Sequence, residues 1–169
     1  AFAKKNKAKV LIAYNRRFYS SISKMNNLIK KDGGIKSVNF EFTEISKVIN
    51  NLKKSKKIKK HWLIANSHVL DLVFHLCGKP KNWKHWHKGK LNWHPSSARY
   101  CGSGITDKGI MFSYLSDWLS PGSWKIEIMT KKNRYILKPI ETLHKMKLNS
   151  FNVIRVNLND YYDKKFKPG

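Results

Sequence analysis

Three histidines and an aspartate recur at helical spacing in the stretch HWLIANSHVLDLVFHLCGKP, residues 61–80. His68 precedes Asp71 by three residues and Asp71 precedes His75 by four, so on one helix these side chains share a face. His61 lies two turns earlier, close to the same face. A carboxylate one turn from an imidazole can fix its tautomer and keep its pKa useful near neutral pH, as general acid–base catalysis requires. We therefore predict that His68 transfers a proton and that Asp71 assists it.

Packing is the alternative role for this row of side chains. An arbitrary His and Asp pair, such as His68 and Asp71, more often does no more than satisfy its own hydrogen bonds on a partly buried helix face. His75 lies beside Phe74 and Leu76, so we predict that it is packed or exposed rather than catalytic.

A zinc site receives little support from the spacing of potential ligands. His85 and His87 on one strand face could supply two ligands, but zinc usually takes three or four from one cluster. No second pair is recognisable, and we predict no bound metal.

The elements that must position these side chains change from helical to strand-like along the chain. The histidine row is predicted to lie on a helix from Lys60 to Leu76 that ends before Gly78 and Pro80. An apolar run at residues 7–14 has the length of a buried strand. Other strand-like segments are KSVNFEFTE before the helix and NWKHWHKGKLNW, GIMFSYLSDWL, WKIEIMT, RYILKP and FNVIRVNL after it. This order predicts an α+β domain with an open, mostly antiparallel sheet and helices on one face.

The large net charge of the chain does not by itself identify its binding partner. The chain has 169 residues, 41% of them hydrophobic, which is enough for one domain with a core. Its net charge of +25 suggests an anionic partner such as nucleic acid or a membrane surface. However, only five of the 35 basic residues are arginines, and the lysines accompany fifteen asparagines, as an AT-rich genome imposes on exposed positions. Nucleic-acid binding therefore remains the alternative and not the leading hypothesis.

Two basic or aromatic segments leave more than one interpretation open. The lysine run at residues 53–60 is predicted to be a solvated loop, and a phosphate-binding patch is the alternative. The segment from Trp83 to Trp93 mixes tryptophans, histidines and lysines, and could be a stacking surface for single-stranded nucleic acid, a sugar platform or sheet core. Trp118 and Trp124 are predicted to pack within the sheet.

Cysteine usage and hydropathy point to a cytoplasmic protein. Cys77 and Cys101 have no CxxC spacing, which favours reduced thiols. No apolar run reaches the roughly 18 to 20 residues that span a bilayer, and the first residues do not have the pattern of a signal peptide. We predict neither a membrane segment nor a leader.

Three stretches in a fixed order resemble one enzyme family. YNRRF (residues 14–18), NSHVLD (66–71) and PGSWKIEIMTKKNRYILKP (121–139), followed by a terminal FKPG, are similar to the glucose-fructose oxidoreductase, inositol dehydrogenase and rhizopine catabolism family, Gfo/Idh/MocA. The resemblance implies a two-domain enzyme, with an N-terminal Rossmann domain for NAD or NADP and a second domain with a large open sheet. Residues 1–15 would then be the last strand of a truncated Rossmann domain, and residues 16–169 the C-terminal substrate-binding and dimerisation domain.

The cofactor implied by this resemblance has no recognisable binding loop in the sequence. There is no GxGxxG after a strand, and the glycine cluster CGSG at 101–104 precedes no helix. NAD or NADP is therefore expected in a full-length parent, and we expect neither to bind this chain stably. Hydride transfer by this chain alone is not expected.

The resemblance also assigns roles to individual residues. His68 matches the family histidine that lies near the substrate hydroxyl, and Asn15 and Arg17 fall close to the cleft between cofactor and substrate, where an arginine fork could hold a hydroxyl or carboxylate. Solvated side chains at a strand end are the alternative for Asn15 and Arg17. Asn66, where a glycine is often found, is assigned to substrate binding.

One departure from the family pattern concerns the carboxylate partner of the histidine. Many members have an aspartate four residues before it, and this sequence has Ile64 there. Asp71 is the local candidate to replace that partner. The partners implied are a sugar or polyol substrate and a second copy of the chain, joined through the sheet face.

Overall fold

The computed structural model describes residues 2–10, 12–45 and 67–158. The helices are α1 (Phe2–Lys5), a 3₁₀ helix (Asn15–Phe18), α2 (Ser20–Lys31) and α3 (His68–Cys77). The strands are β1 (Ser37–Phe42), β2 (Pro80–Lys88), β3 (Arg99–Thr106), β4 (Met111–Asp117), β5 (Trp124–Met129), β6 (Asn133–Leu137), β7 (Leu143–Lys147) and β8 (Val153–Arg155).

The eight described strands form one sheet in the order β2-β3-β4-β1-β5-β6-β7-β8. β1 pairs with β4 in parallel, and the other neighbouring pairs are antiparallel. A parallel pair needs a crossover connection, and the chain between β1 and β4 includes α3. The predicted α+β fold with an open, mostly antiparallel sheet is confirmed.

The core lies between the two longer helices and one face of the sheet. In β1, Val38 and Phe40 are buried, whereas the alternate residues Asn39 and Glu41 are partly exposed. Successive side chains of a strand point to opposite faces of the sheet, which explains this alternation. The buried side chains of α2 and α3 that join this core are Ile22, Met25, Ile29, Val69, Leu72 and Val73. Full burial of one such side chain contributes about 1.5–3 kcal/mol, so this layer fixes α3 on the sheet.

The opposite face of the sheet has no helix over it in the described part of the chain. On this face Met111 and Leu115 of β4 are 59% and 62% exposed. Glu127 of β5 forms ion pairs with Lys125 at 3.3 Å and with Arg134 at 3.7 Å. This face, which we call the open face, is therefore a mixture of exposed apolar and charged side chains.

Asp32 joins the end of α2 to the β5–β6 hairpin. Its Oδ2 accepts hydrogen bonds from Asn133 Nδ2 at 2.7 Å, Tyr135 Oη at 2.8 Å and Thr130 Oγ1 at 2.8 Å. Burial alone would raise the pKa of Asp32, but these hydrogen bonds outweigh it and hold the pKa below its usual value. The same arrangement raises the pKa of Tyr135, through burial and then through the neighbouring carboxylate.

The apolar run near the beginning of the sequence is not a strand in this structure. Residues 8–10 and 12–14 have extended or irregular backbone outside the sheet, and Val10 and Ile12 are 72% and 73% exposed. An apolar run of this length forms a strand only where a neighbouring strand pairs with it, and this run has no such neighbour among the described residues. The assignment of residues 1–15 to a Rossmann domain stays a prediction.

Other elements differ from the sequence prediction in position. β2 is the outermost strand at one edge, with Trp83 and Trp86 52% and 60% exposed, so the sheet-core interpretation of this segment is wrong. β3 and β7 were not recognised, because glycines in one and charged residues in the other hide the alternation. Several sequence assignments lie outside the described residues: the lysine run at 53–60, the predicted helix before Ser67 with His61, Ile64 and Asn66, and the terminal FKPG.

No helix in the described ranges is both long and apolar enough to cross a membrane.

Candidate functional site

The 3₁₀ helix and the beginning of α3 meet and bring two stretches of the sequence, YNRRF and SHVLD, into contact. Tyr14 Oη and Ser67 Oγ are hydrogen-bonded at 2.9 Å, although they are 53 residues apart in the chain. One turn further along α3, Arg17 binds Asp71. These contacts place four polar side chains side by side at one end of α3.

Arg17 and Asp71 form a bidentate ion pair. Arg17 Nε donates to Asp71 Oδ2 at 2.8 Å, and the terminal Nη2 donates to Oδ1. This hydrogen bonding to Asp71 raises the pKa of Arg17. A planar guanidinium presents two parallel N–H groups that match the two oxygens of a carboxylate, which explains why Asp71 faces Arg17.

His68 therefore lacks the hydrogen-bonded carboxylate that the sequence interpretation gave it. Both oxygens of Asp71 bind Arg17, and His68 Nδ1 is buried without a hydrogen-bond partner among the described residues. The pairing of His68 with Asp71 was inferred from helical spacing, which cannot take account of a competing arginine from another segment. Asp71 influences His68 through its charge and not through a hydrogen bond of its own.

The surroundings of His68 keep its imidazole neutral. Its ring makes an edge contact with Tyr14 at 5.6 Å between centroids and lies 6.1 Å from the Trp124 ring. Burial lowers the pKa of His68, the positive charge of Arg16 lowers it further, and Asp71 opposes both. A neutral imidazole at pH 7 can accept a proton, which is what a general base needs.

Arg16 is held by aromatic rings. Its Cζ lies 5.3 Å from the centroid of the Trp124 ring and 5.9 Å from that of Tyr19. Its Nη1 donates to Oδ1 of the exposed Asn15 at 2.9 Å. Attraction between a guanidinium and a ring face keeps the cation near His68, and no carboxylate of the described residues pairs with it.

An open groove of about 620 Å³ runs along α3 beside this cluster. Tyr14, Arg17, Ser67 and Asp71 line it at the beginning of the helix. Near the helix end its wall is formed by His75, Gly78, Lys79, Asp107 and Lys108, with Leu70 and Phe74 between. His68 does not line the groove, but its ring packs against Tyr14, which does line it.

A second cavity of about 250 Å³ lies on the other side of Leu70 and Phe74 and is lined mainly by aromatic rings. The glycines of CGSG in β3 make room for these rings. A Cβ at Gly102 would lie only 2.6 Å from Tyr114 Oη and 2.7 Å from the backbone oxygen of Lys84. These glycines are therefore needed for packing within a strand, and they do not form a dinucleotide-binding loop before a helix.

Potential metal ligands do not form a cluster in the described part of the chain. No group of three or more His, Cys, Asp or Glu side chains there is arranged to hold a metal ion. His85 and His87 stack with 6.2 Å between ring centroids, and His87 Nδ1 is hydrogen-bonded to Ser97 Oγ at 2.7 Å.

Comparison with known proteins finds similarity in structure and not in sequence. No protein-family model and no curated protein matches the sequence. A proposed NADPH-dependent oxidoreductase from Desulfitobacterium hafniense superposes with a TM-score of 0.69 and 16% identity, covering 92% of this chain and 51% of that one. Levoglucosan dehydrogenase in complex with NADH and L-sorbose gives a TM-score of 0.68 and 15% identity, covering 88% and 47%.

A third structure is UDP-N-acetylglucosamine 3-dehydrogenase from Acidithiobacillus ferrooxidans, with a TM-score of 0.63 and 12% identity, covering 92% of this chain and 48% of that one. The chain has the fold of a domain of these oxidoreductases. They are of the Gfo/Idh/MocA type, and the part matched is their C-terminal domain. The chain spans about half the length of these structures, and the resemblance read from its sequence is confirmed at the level of fold.

Within this fold, the structure gives different outcomes for the residues selected from the sequence. His68, Asp71 and Arg17 lie in one cluster. Asn15 is exposed, and its side-chain oxygen accepts a hydrogen bond from Arg16 Nη1, whereas Asn66 lies outside the described residues. Their functional roles stay predictions.

Four members of the cluster were not selected as site residues from the sequence: Tyr14, Arg16, Ser67 and Trp124. All four lie within the stretches that carried the resemblance, so membership of those stretches was an available signal. Trp124 was expected to pack within the sheet. It does begin β5, but its ring contacts His68 and Arg16.

Proposed function

We propose that this chain is the substrate-binding domain of an NAD(P)-dependent oxidoreductase that acts on a sugar or polyol. The observation that carries the proposal is the neutral His68 packed against Tyr14 at a groove that also contains the Arg17–Asp71 pair. The fold supports it, since solved structures with this fold include a dehydrogenase bound to NADH and L-sorbose. In this proposal residues 16–169 form the substrate and dimerisation domain, and residues 1–15 belong to a cofactor domain.

The described residues do not fit the cofactor as a binding loop, because CGSG lies inside β3 and its glycines face aromatic rings. A nicotinamide held by another domain would accept hydride from a substrate carbon. A hydroxyl that is oxidised must lose its proton to a base within hydrogen-bond reach. A residue of this chain would accept that proton. His68 is the base in this scheme, and Arg17, fixed by Asp71, binds a substrate hydroxyl.

Tyr14 and Ser67 position the substrate and the base. The Tyr14 ring supports the His68 ring edge-on, and its hydroxyl, bound to Ser67 Oγ at 2.9 Å, lies on the groove wall. A hydroxyl can donate one hydrogen bond while it accepts another, so Tyr14 can bind a sugar hydroxyl without releasing Ser67.

We also propose that two copies associate through the open face of the sheet. Exposed Met111 and Leu115 lie on this face beside the charged group around Glu127. A sheet that buries one face only and exposes apolar side chains on the other is a common basis for symmetric dimers.

Sugar binding by the isolated chain tests the first proposal. Amide and imidazole NMR shifts would be followed during titration with L-sorbose and D-glucose, for the wild type, Asp71→Asn and the control Arg155→Gln, which changes an exposed residue of β8. We expect shifts at Tyr14, Ser67 and His68 that weaken in Asp71→Asn and persist in the control.

Two outcomes would contradict the proposal. One is the absence of shifts in the α3 cluster at every sugar concentration tested. The other is tight, salt-sensitive binding of single-stranded nucleic acid instead, since counterion release makes such affinity fall steeply with ionic strength.

A further inference from the structure

Three buried polar atoms without hydrogen-bond partners lie around a single indole ring. Among the residues that the structure describes, these atoms are Arg16 Nε, His68 Nδ1 and Trp124 Nε1. The ring of Trp124 lies 6.1 Å from the His68 ring and 5.3 Å from the Arg16 guanidinium carbon. A buried polar group without a partner costs about 1–3 kcal/mol. Three such groups in one place indicate a site that a ligand completes.

The charge of this cluster indicates the sign of the ligand. Arg17 is neutralised by Asp71, whereas Arg16 forms no ion pair with any carboxylate of the described residues. Aromatic rings and the neutral Asn15 oxygen hold Arg16 in place. An uncompensated guanidinium beside an indole N–H offers two donors to an oxygen anion.

We propose that Arg16 and Trp124 bind a carboxylate of the substrate, Arg16 Nε donating to one oxygen and Trp124 Nε1 to the other. The inference rests on the proposed function and narrows its substrate to a sugar acid. Arg16 and Trp124 are partly exposed as whole residues, but their Nε and Nε1 atoms are buried, so the side chains must shift before a carboxylate can bind these donors. Rotation about the side-chain bonds of Arg16 then aligns its Nε with the incoming oxygen.

A carboxylate at this position also acts on His68. Arg16 is one of the groups that keep the His68 imidazole neutral, and a bound anion offsets its positive charge. The bound substrate therefore raises the proton affinity of the base that will accept its hydroxyl proton. A neutral sugar has no charge that could offset that of Arg16, so the pKa of His68 gives the proposal a second, independent measurement.

The experiment compares D-glucuronate with D-glucose by NMR titration of the full chain at pH 7. Four proteins are used: wild type, Arg16→Gln, Trp124→Phe, and Arg155→Gln as a control that removes the same charge from an exposed position on β8. We expect the wild type and the control to bind glucuronate at least about tenfold more tightly than glucose, the scale of one charge-assisted hydrogen bond. Arg16→Gln should lose this preference, and Trp124→Phe, which keeps a ring but has no N–H, should reduce it.

The His68 titration provides the second measurement. The pKa of His68 should rise when glucuronate binds the wild type and should already be raised in free Arg16→Gln. Circular dichroism confirms that each variant is folded. If neutral sugars bind but glucuronate is not preferred, or if Arg16→Gln keeps the preference, the carboxylate site is refuted while the proposed function stands. If no sugar binds at all, both are refuted.

Discussion

Arg17 and Asp71 lie 54 residues apart in the sequence, yet their side chains form the ion pair that joins the 3₁₀ helix to α3. Because both oxygens of Asp71 bind Arg17, Asp71 is not hydrogen-bonded to His68, the partner that helical spacing alone predicts. The result is a division of roles, in which Asp71 orients a cation at the groove wall and His68 is a neutral imidazole between Tyr14 and Trp124.

Hydride transfer in a protein that combines this chain with a cofactor domain should depend on His68. His68→Ala is expected to lower turnover by about 10² to 10⁴, the usual contribution of a positioned base, with cofactor affinity nearly unchanged. Asp71→Asn should lower turnover less, because it loosens Arg17 and leaves the imidazole in place. Steady-state kinetics and cofactor titration measure both. Full turnover in His68→Ala, together with reduced thermal stability, would mean that the histidine only packs.

The stability of the chain should depend on pH through His68. The groups facing it are Arg16, Asp71, Tyr14 and Trp124, and its pKa is lower in the folded than in the unfolded protein. The unfolded chain therefore binds the proton first, and the free energy of unfolding falls as the pH drops below about 6.5, by at most about 1.4 kcal/mol per pH unit. Urea denaturation between pH 5 and 8, in roughly half-unit steps, should show a flatter profile for His68→Gln. The exposed His75→Gln is the control, and equal profiles for the two variants would contradict the assignment.

Asp32 should stabilise the fold through its three hydrogen bonds. Asp32→Asn replaces an acceptor of three hydrogen bonds by an amide and should reduce the free energy of unfolding by about 1–3 kcal/mol at neutral pH. Because the folded-state pKa of Asp32 is lowered, its contribution is present above the ordinary carboxyl pKa and is lost as the pH falls through the folded value. The difference in the free energy of unfolding between wild type and Asp32→Asn should therefore be present at neutral pH and should disappear at acid pH, as denaturation curves at the two pH values would show. A constant difference at all pH values would refute this explanation.

Gly102 should tolerate no side chain. Gly102→Ala places a Cβ 2.6 Å from Tyr114 Oη and 2.7 Å from the Lys84 backbone oxygen, so the β2–β3 pair must shift. Overpacking of this kind costs about 1–3 kcal/mol, measurable by thermal or urea denaturation. Ser103→Ala changes the exposed neighbour on the opposite face and should have little effect. Equal stability of the two variants would indicate that β2 has more freedom than the structure shows.

Self-association should depend on the open face. Light scattering at micromolar concentration is expected to report a dimer or larger, and Leu115→Lys should weaken it because it places a charge in the middle of the apolar part of that face. Leu148→Lys makes the same change at an exposed residue outside the strands and should not. A monomeric wild type would rule out this interface.

The sequence predicted the class of fold because strand alternation and helix periodicity are local properties. Val38 and Phe40 alternate with polar residues whatever surrounds them, and Ile126 with Ile128 follow the same rule. The motif order from YNRRF to RYILKP was likewise readable along the chain, and the comparisons confirm the resemblance at the level of fold.

Pairing between distant segments was decided only in the tertiary structure. Helical spacing placed Asp71 within reach of His68 but gave no information about Arg17, which comes from another segment. Asp71 accepts hydrogen bonds from Arg17 because the two side chains match in geometry, and closeness in sequence does not decide the partner. Trp124 likewise alternates as a core residue of β5, and its place against Arg16 and His68 depends on how α3 packs over the sheet. Periodicity fixes which face a side chain takes within its own element, whereas its partner depends on how the elements are packed together.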